Sequence, residues 1–347
     1  MEFTLVILFS LVFAGLAQKK NQLRYLLLAG LALSLLCGLR SAEMGTDTIN
    51  YYQFLLYAQD IHAGSDIGYT AVSIVLMRVL HNPAYVLMIY AFVTNYLVCL
   101  RLWDFREQAS LPYMFLIYLA FYYPYTFNTV RQFLAIAIVF WGTRYLMNKE
   151  YSKYLFLNAV AATFHTTALV GVIFLFIRNE GKSRVKKINP LVIIAVVAIL
   201  AVGAFIFRGN LAKYASYLTS AQITAFPMLI AKFSLLALAI CLDRPFHNEG
   251  YSTDVNGNLV SIQRTIPVAY IIGLLLSSLG MFYEYLNRIG FFCMMFEMPF
   301  WGQTVWSRLN GKFYKLAILV IVAYTLITQL LMGENPSNLF FYKSFLG

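Results

Sequence analysis

The sequence predicts an all-α polytopic membrane protein with roughly ten to twelve transmembrane helices. Of its 347 residues, 61% are hydrophobic and only 12% are charged, whereas a soluble domain has about 25% charged residues. The mean hydropathy is +0.69. The apolar runs are long and continuous instead of alternating, which excludes a β-barrel. We therefore expect one integral membrane domain over residues 1–347 and exclude a soluble enzyme, a secreted disulfide scaffold and a nucleic-acid module.

Nearly uncharged runs mark the predicted helices in chain order. They cover residues 3–17, 25–39, 84–100, 111–125, 130–147, 190–207, 226–242, 265–283, 289–306 and 313–332. The first run lacks the basic start of a signal peptide, so we expect it to be a retained helix. Two further segments are ambiguous, because residues 67–80 are short and carry Arg78 and residues 154–177 carry His165 at their midpoint.

The basic residues predict how these segments cross, because cytoplasmic loops are enriched in Lys and Arg. Basic residues cluster at 19–24, 101–106, 144–153, 178–187 and 308–315. These clusters lie on one side of the membrane only if residues 67–80 do not cross it and residues 154–177 enter and leave on the same side. With 243–264 as a cytoplasmic loop, 18 of the 26 basic residues then lie inside. We thus predict an external loop over 40–82 containing an interfacial helix, and a re-entrant or broken helix near His165. A simple twelve-span arrangement is the alternative.

Residues 243–264 form a long polar stretch that contains Asn256 followed by Gly257. This pair between short polar–apolar runs predicts a small hairpin.

The external loop contains a Gly-Thr-Asp-Thr turn followed by Tyr51 and Tyr52. Gly45 permits a tight turn, and Asp47 is placed to cap a helix that begins near Thr48. A carboxylate beside aromatic rings also suits sugar recognition or a general base. Both interpretations of Asp47 stay open at this point.

The turn FNTVRQ opens a helix with Asn128, Arg131 and Gln132 on the external side. An arginine at the positive end of a helix is well placed to bind phosphate or diphosphate. The alternative is an arginine that extends to the membrane interface.

His165 lies within the apolar sequence AATFHTTALV. An ionisable residue there is costly and usually faces a polar cavity. Hydrogen bonding to neighbouring Thr residues would satisfy it structurally, whereas its near-neutral intrinsic pKa suits proton transfer.

Glu284 and Arg288 are four residues apart, flanked by Tyr283 and Tyr285. An i,i+4 ion pair explains the first two, but Arg288 also joins Arg40 and Arg131 as a third external arginine. Lys232 and Glu297 each lie inside a span, and we interpret them as a mutually neutralising structural pair, with a proton relay as the alternative.

Several nucleotide and metal motifs are absent from the sequence, including the P-loop, HExxH, GxSxG and DDxxD. The four cysteines have no CxxC spacing and no His partner at metal-ligand spacing. We expect no metal and no cofactor.

The motifs GTDTINYY, DIGY, NTVRQFLAIAI and KYLFLNAVAATFHTTALV, followed by Arg288 and the tail NPSNLFFYKSFLG, occur in this order. Over about residues 3–345 the chain resembles the EpsG-like, Wzy-type family of bacterial exopolysaccharide and O-antigen polymerases. The resemblance implies a GT-C-like glycosyltransferase at the outer face of the inner membrane. It would transfer a growing glycan from undecaprenyl diphosphate to a lipid-linked repeat unit, which makes such lipids both donor and acceptor.

This resemblance assigns provisional roles to the residues singled out above. Asp47 or His165 would accept the proton, while Arg131, Arg288 and Arg40 would bind the diphosphate. The remaining candidates would contact substrate: Tyr51, Tyr52, Asn128, Gln132, Tyr283, Tyr285 and Glu284. The bilayer and a chain-length regulator are the other expected partners, with no nucleic acid. A flippase for lipid-linked oligosaccharide and an O-antigen ligase remain the alternative functions.

Overall fold

The structure, a computed structural model, describes residues 2–57, 66–177, 220–243, 251–253, 259–261, 265–280, 284–307, 311–331 and 342–345. These residues are almost entirely helical, which confirms the all-α class. The helices are α1 (Glu2–Lys20), α2 (Leu23–Gly38), α3 (Thr48–Tyr57), α4 (Ile67–Leu80), α5 (Pro83–Trp103), α6 (Leu111–Ile117), α7 (Val130–Met147), α8 (Tyr151–Phe164), α9 (Phe174–Ile177), α10 (Ser220–Asp243), α11 (Thr265–Leu279), α12 (Glu284–Met294), α13 (Glu297–Ser307) and α14 (Gly311–Leu331). The predicted span 190–207 lies outside the described residues.

Two of the described helices are long and apolar enough to cross a membrane, namely Pro83–Trp103 and the Gly311–Thr328 part of α14. Shorter apolar helices surround them, including α2, α4 and α11. Large apolar side chains such as Leu8 and Leu316 remain exposed on helix surfaces, as expected for faces that contact lipid.

The polar loop after α10 contains two short strands, β1 (Tyr251–Thr253) and β2 (Leu259–Ser261). They pair in antiparallel register, with Ser252 opposite Val260. The sequence prediction of a small hairpin here is confirmed.

Three basic loops meet at one end of the helix bundle, which we call the basic end. The Gln18 side chain donates to the carbonyls of Arg106 and Ala109 at 2.9 and 2.8 Å, so the α1–α2 and α5–α6 connections touch. Asp104 pairs with both Arg101 at 3.0 Å and Arg144 at 3.4 Å. Three of the loops that were predicted to share one side therefore lie together, and the cytoplasmic orientation of this end stays a prediction.

The segment 154–177 forms the predicted break at His165. Helix α8 ends at Phe164, His165 is extended with φ −159° and ψ 121°, and a 3-10 helix covers Thr166–Ile173. The Asn158 side chain donates to the Ala168 carbonyl at 2.8 Å, and the Tyr154 hydroxyl donates to the Gly171 carbonyl at 2.6 Å. The chain thus folds back along α8 and returns toward the basic end, as the sequence predicted.

Helix α4 coincides with the predicted segment 67–80. It begins next to Asp66, whose carboxylate contacts Arg131 at the first turn of α7. Its last residue is Leu80, and the capping residue His81, with φ 54°, begins the short connection to α5. The interfacial position of this helix stays a prediction.

The predicted helix 111–125 is irregular. After α6 the chain widens into a π-helix at Tyr118–Tyr122 and then tightens into a 3-10 helix at Tyr123–Phe127. The tyrosine hydroxyls fix this path, since Tyr118 donates to Asn95 Oδ1 at 2.8 Å and Tyr123 donates to the Leu33 carbonyl at 2.7 Å. Such π segments inside helices are frequent near functional sites.

Two helices, α12 and α13, replace the single span predicted over 289–306. The interruption places Glu297 in the first turn of α13, where the helix dipole favours a carboxylate. Glu297 accepts from Lys232 Nζ at 2.8 Å and from the Tyr122 hydroxyl at 2.6 Å. The predicted Lys232–Glu297 pair is confirmed, and it is buried.

We expect Glu297→Gln to lower the free energy of unfolding by about 3 kcal/mol, because it leaves the buried Lys232 ammonium without its counter-charge. Combining it with Lys232→Met should recover most of that loss. Thermal unfolding in detergent measures both, with Glu150→Gln as a control because the Glu150–Lys153 pair is exposed. A double variant as unstable as Glu297→Gln alone would contradict the electrostatic explanation.

Candidate functional site

The Gly-Thr-Asp turn is locked against the start of the α7 segment. Gly45 has φ +84°, and a β-carbon there would overlap the side-chain oxygen of Asn128. The same oxygen accepts from the Thr46 backbone N–H at 2.9 Å. Asn128, predicted to bind substrate, therefore holds the loop. Asp47 remains partly exposed immediately before α3.

Arg40 is fully buried and donates to protein groups on both sides of this turn. Its guanidinium donates to Thr48 Oγ1 at 3.0 Å, to the Phe127 carbonyl at 2.9 Å and to the Cys37 carbonyl. These bonds connect the end of α2, the start of α3 and the end of the 3-10 helix. The contacts support a structural clamp instead of the predicted diphosphate ligand, since the donors face the protein.

Arg131 is held by groups that converge from the neighbouring segments. Its Nη1 lies 2.7 Å from Asp66 Oδ2, and its Cζ lies 5.5 Å from the centre of the Tyr69 ring. The Tyr51 ring packs against the same Tyr69 ring, and Tyr51 and Arg131 interact electrostatically. The Arg131 side chain keeps 35% of its surface exposed, so the cation is oriented but still accessible.

His165 lies within electrostatic range of both Arg131 and Arg288. The charges that act on His165 are those of Asp66, Arg131 and Arg288. Gln132 is almost fully buried and donates to the Arg288 backbone carbonyl at 2.8 Å, which fixes α12 to the start of α7. His165 Nδ1 is 2.6 Å from Thr167 Oγ1, so Nε2 is the ring nitrogen left to face the site.

The predicted tyrosines differ in their surroundings. Tyr51 is buried against Tyr69, with ring centres 6.2 Å apart. Burial raises the pKa of Tyr51, although the Arg131 charge lowers it, so its hydroxyl remains protonated near neutral pH. The buried hydroxyl of Tyr52 has no partner among the described residues. Tyr283 lies outside those residues, and α12 begins at Glu284 and Tyr285, whose side chains are likewise not described.

In the described part of the chain, no three His, Cys, Asp or Glu side chains cluster as a metal site would require. The ionisable groups of this candidate site are Arg131, Arg288, Asp66 and His165. This set is suited to binding an anion while a neighbouring group accepts a proton.

The comparison with protein families agrees with the order of the motifs. The family described as EpsG matches residues 23–344, which is nearly the whole chain. The chain belongs to the EpsG family. Neither a curated protein nor a solved structure matches it. Membership in EpsG indicates a polysaccharide polymerase-type function in a membrane, with lipid-linked sugars as substrates.

Sequence reasoning missed one residue that is central to the site of this EpsG protein. Asp66 was recognised only as part of the motif DIGY. It is 6% exposed, and its side chain makes no capping bond to α4 because it faces Arg131 instead. A carboxylate directly before the predicted helix 67–80, two residues ahead of Gly68, was the available signal, but the hydropathy pattern does not reveal its partner.

Gly68 sets the distance between α4 and α8 in this EpsG protein. A β-carbon at Gly68 would overlap Thr163 Oγ1 and approach the Thr163 backbone carbon at 3.0 Å. The close packing places Asp66 next to Arg131.

We therefore expect Gly68→Ala to reduce activity by about tenfold, because α4 must move away from α8 and an ordered helix contact is lost. The rate of glycan formation by protein in membranes measures this. Gly142→Ala is a suitable control, since its nearest neighbour would be Leu157 Cδ1 at 3.4 Å. Equal activities for the two variants would contradict the packing argument.

Proposed function

We propose that this EpsG-family protein is a membrane glycosyltransferase that polymerises lipid-linked oligosaccharides. It transfers a growing glycan from undecaprenyl diphosphate to the non-reducing end of a lipid-linked repeat unit at the outer face of a bacterial inner membrane. Two observations support the proposal: the charges of Arg131 and Arg288 both act on His165, and Gln132, next to Arg131, donates to the Arg288 carbonyl.

The reaction requires few groups from the protein. An acceptor hydroxyl attacks the anomeric carbon of the donor, the bond from that carbon to the diphosphate oxygen breaks, and the hydroxyl proton passes to a base. Undecaprenyl diphosphate is a good leaving group, so fixed cations that stabilise its developing charge are sufficient. We therefore propose that the reaction is independent of a metal.

The residues divide between these two tasks. Arg131 and Arg288 bind the diphosphate, and Arg131 is oriented for this by Asp66 and the Tyr69 ring. We favour His165 as the base because the charges of both arginines act on it, whereas Asp47 lies on the loop before Tyr51. Arg40 is left out of the diphosphate site because its donors face the protein.

Reconstituted protein with purified undecaprenyl-diphosphate-linked repeat units tests the proposal. We expect a ladder of polymer products, which persists when EDTA is added. Loss of the ladder in EDTA alone would contradict metal independence. Translocation of the lipid without chain growth would identify a flippase, and product with its reducing end on another acceptor would identify a ligase.

A further inference from the structure

The C-terminal segment, residues 342–345, lies against the end of α2 as a short antiparallel bridge. The Ser41 N–H donates to the Lys343 carbonyl at 2.9 Å, and the Phe345 N–H donates to the Leu39 carbonyl at 2.9 Å. These two bonds flank the Arg40–Ser344 bridge.

Side chains add to this attachment. The Tyr342 hydroxyl donates to the Leu36 carbonyl at 2.9 Å, which satisfies one of the carbonyls left open at the end of a helix. The Phe345 ring contacts the Tyr85 ring edge-on at 5.9 Å, near the start of α5. The Lys343–Glu43 ion pair is exposed and adds little.

The C-terminal segment pairs with the backbone of Arg40. From there its guanidinium reaches Thr48 and the Phe127 carbonyl. Thr48 begins α3, whose Tyr51 packs against Tyr69, and the Tyr69 ring in turn contacts Arg131. A continuous set of contacts therefore runs from residues 342–345 through Arg40 to the arginine of the site.

We propose that residues 342–345 are a positioning element for the site: they hold residues 39–41, and through Arg40 they fix the Gly-Thr-Asp loop and the start of α3. This inference rests on the proposed function for its kinetic consequence. The bundle itself does not depend on the segment, since α2 packs against α1 and α5 along its length.

The test compares Phe345→Pro, which removes the N–H that donates to Leu39, with Phe345→Leu, which keeps it. Ser344, which precedes the new proline, is the bridge residue, and a residue before proline favours such an extended backbone. Hydrogen–deuterium exchange of the full chain in lipid nanodiscs measures the loop directly. We expect about tenfold faster exchange at the Ser41 and Thr46 amides in Phe345→Pro, because one ordering bond is lost, and near wild-type exchange in Phe345→Leu.

Kinetics provides the second measurement, with purified lipid-linked repeat units as substrate. We expect kcat to fall about tenfold in Phe345→Pro, while KM for the donor stays within about twofold, because the loop is misplaced but Arg131 and Arg288 still bind the diphosphate. Unchanged exchange in Phe345→Pro would overturn the inference, as would faster exchange with unchanged kcat. Faster exchange together with a wild type that forms no polymer would support the attachment and contradict the proposed function instead. Equal thermal unfolding of the two variants serves as the folding control.

Discussion

Arg131→Lys is expected to reduce polymer formation by about 100-fold while the amount of folded protein in the membrane stays the same. The guanidinium presents several donors in a fixed plane, and Asp66 and the Tyr69 ring orient that plane. A lysine ammonium keeps the charge but not the planar arrangement. The expected loss corresponds to about 2.7 kcal/mol of transition-state stabilisation. Initial rates with purified lipid-linked repeats measure it.

Arg78→Lys is the matched control for this experiment. Arg78 lies in the last turn of α4, on the helix that follows Asp66, and it is exposed. We expect wild-type rates from it. Wild-type polymer length and rate in Arg131→Lys would remove Arg131 from the site, and the proposed diphosphate site would then lose its best-oriented cation.

His165→Gln is expected to lower kcat by at least about 100-fold, because glutamine cannot accept the proton of the acceptor hydroxyl. Glutamine retains polar atoms for Thr167, so the break after α8 should remain. Asp47→Asn, measured in parallel, should have a smaller effect, since Asp47 lies on the loop near Tyr51 instead of beside Arg131 and Arg288.

Thr167→Val separates positioning from proton transfer. It removes the hydroxyl 2.6 Å from His165 Nδ1 but leaves the imidazole, so we expect an intermediate rate. If Asp47→Asn is inactive and His165→Gln is active, Asp47 is the base. If both variants polymerise normally, neither residue has that role.

Helix positions were largely predictable from the sequence because lipid imposes long uncharged runs. The predicted segments 67–80 and 130–147 match α4 and α7 residue for residue. The helix break at His165 was also predictable, since an ionisable residue in an apolar run requires an unusual environment. The split at Met295–Phe296 was missed because residues 289–306 contain a single charged residue, Glu297, and were therefore predicted as one span.

The candidate site was predictable only in part. Arg131 and Arg288 were selected because the sequence predicts them on the side depleted in basic residues, and the contact from Gln132 to the Arg288 carbonyl brings their segments together. Arg40 was selected by the same rule, yet its donors bind Thr48 and the Phe127 carbonyl. Composition and topology place a charge on one side of the membrane, but they do not say which neighbour accepts its hydrogen bonds.

The sequence by itself determined the membrane class, the helical segments, the break at His165 and the grouping of the basic loops, because these follow from hydropathy and charge along the chain. Only the tertiary structure decided that Asp66 orients Arg131 and that residues 342–345 attach to the end of α2. The physical reason is that hydrogen bonds and ion pairs depend on distances of a few ångströms between segments far apart in the chain. Those distances are set by how the helices pack, as the contact of Gly68 with Thr163 illustrates.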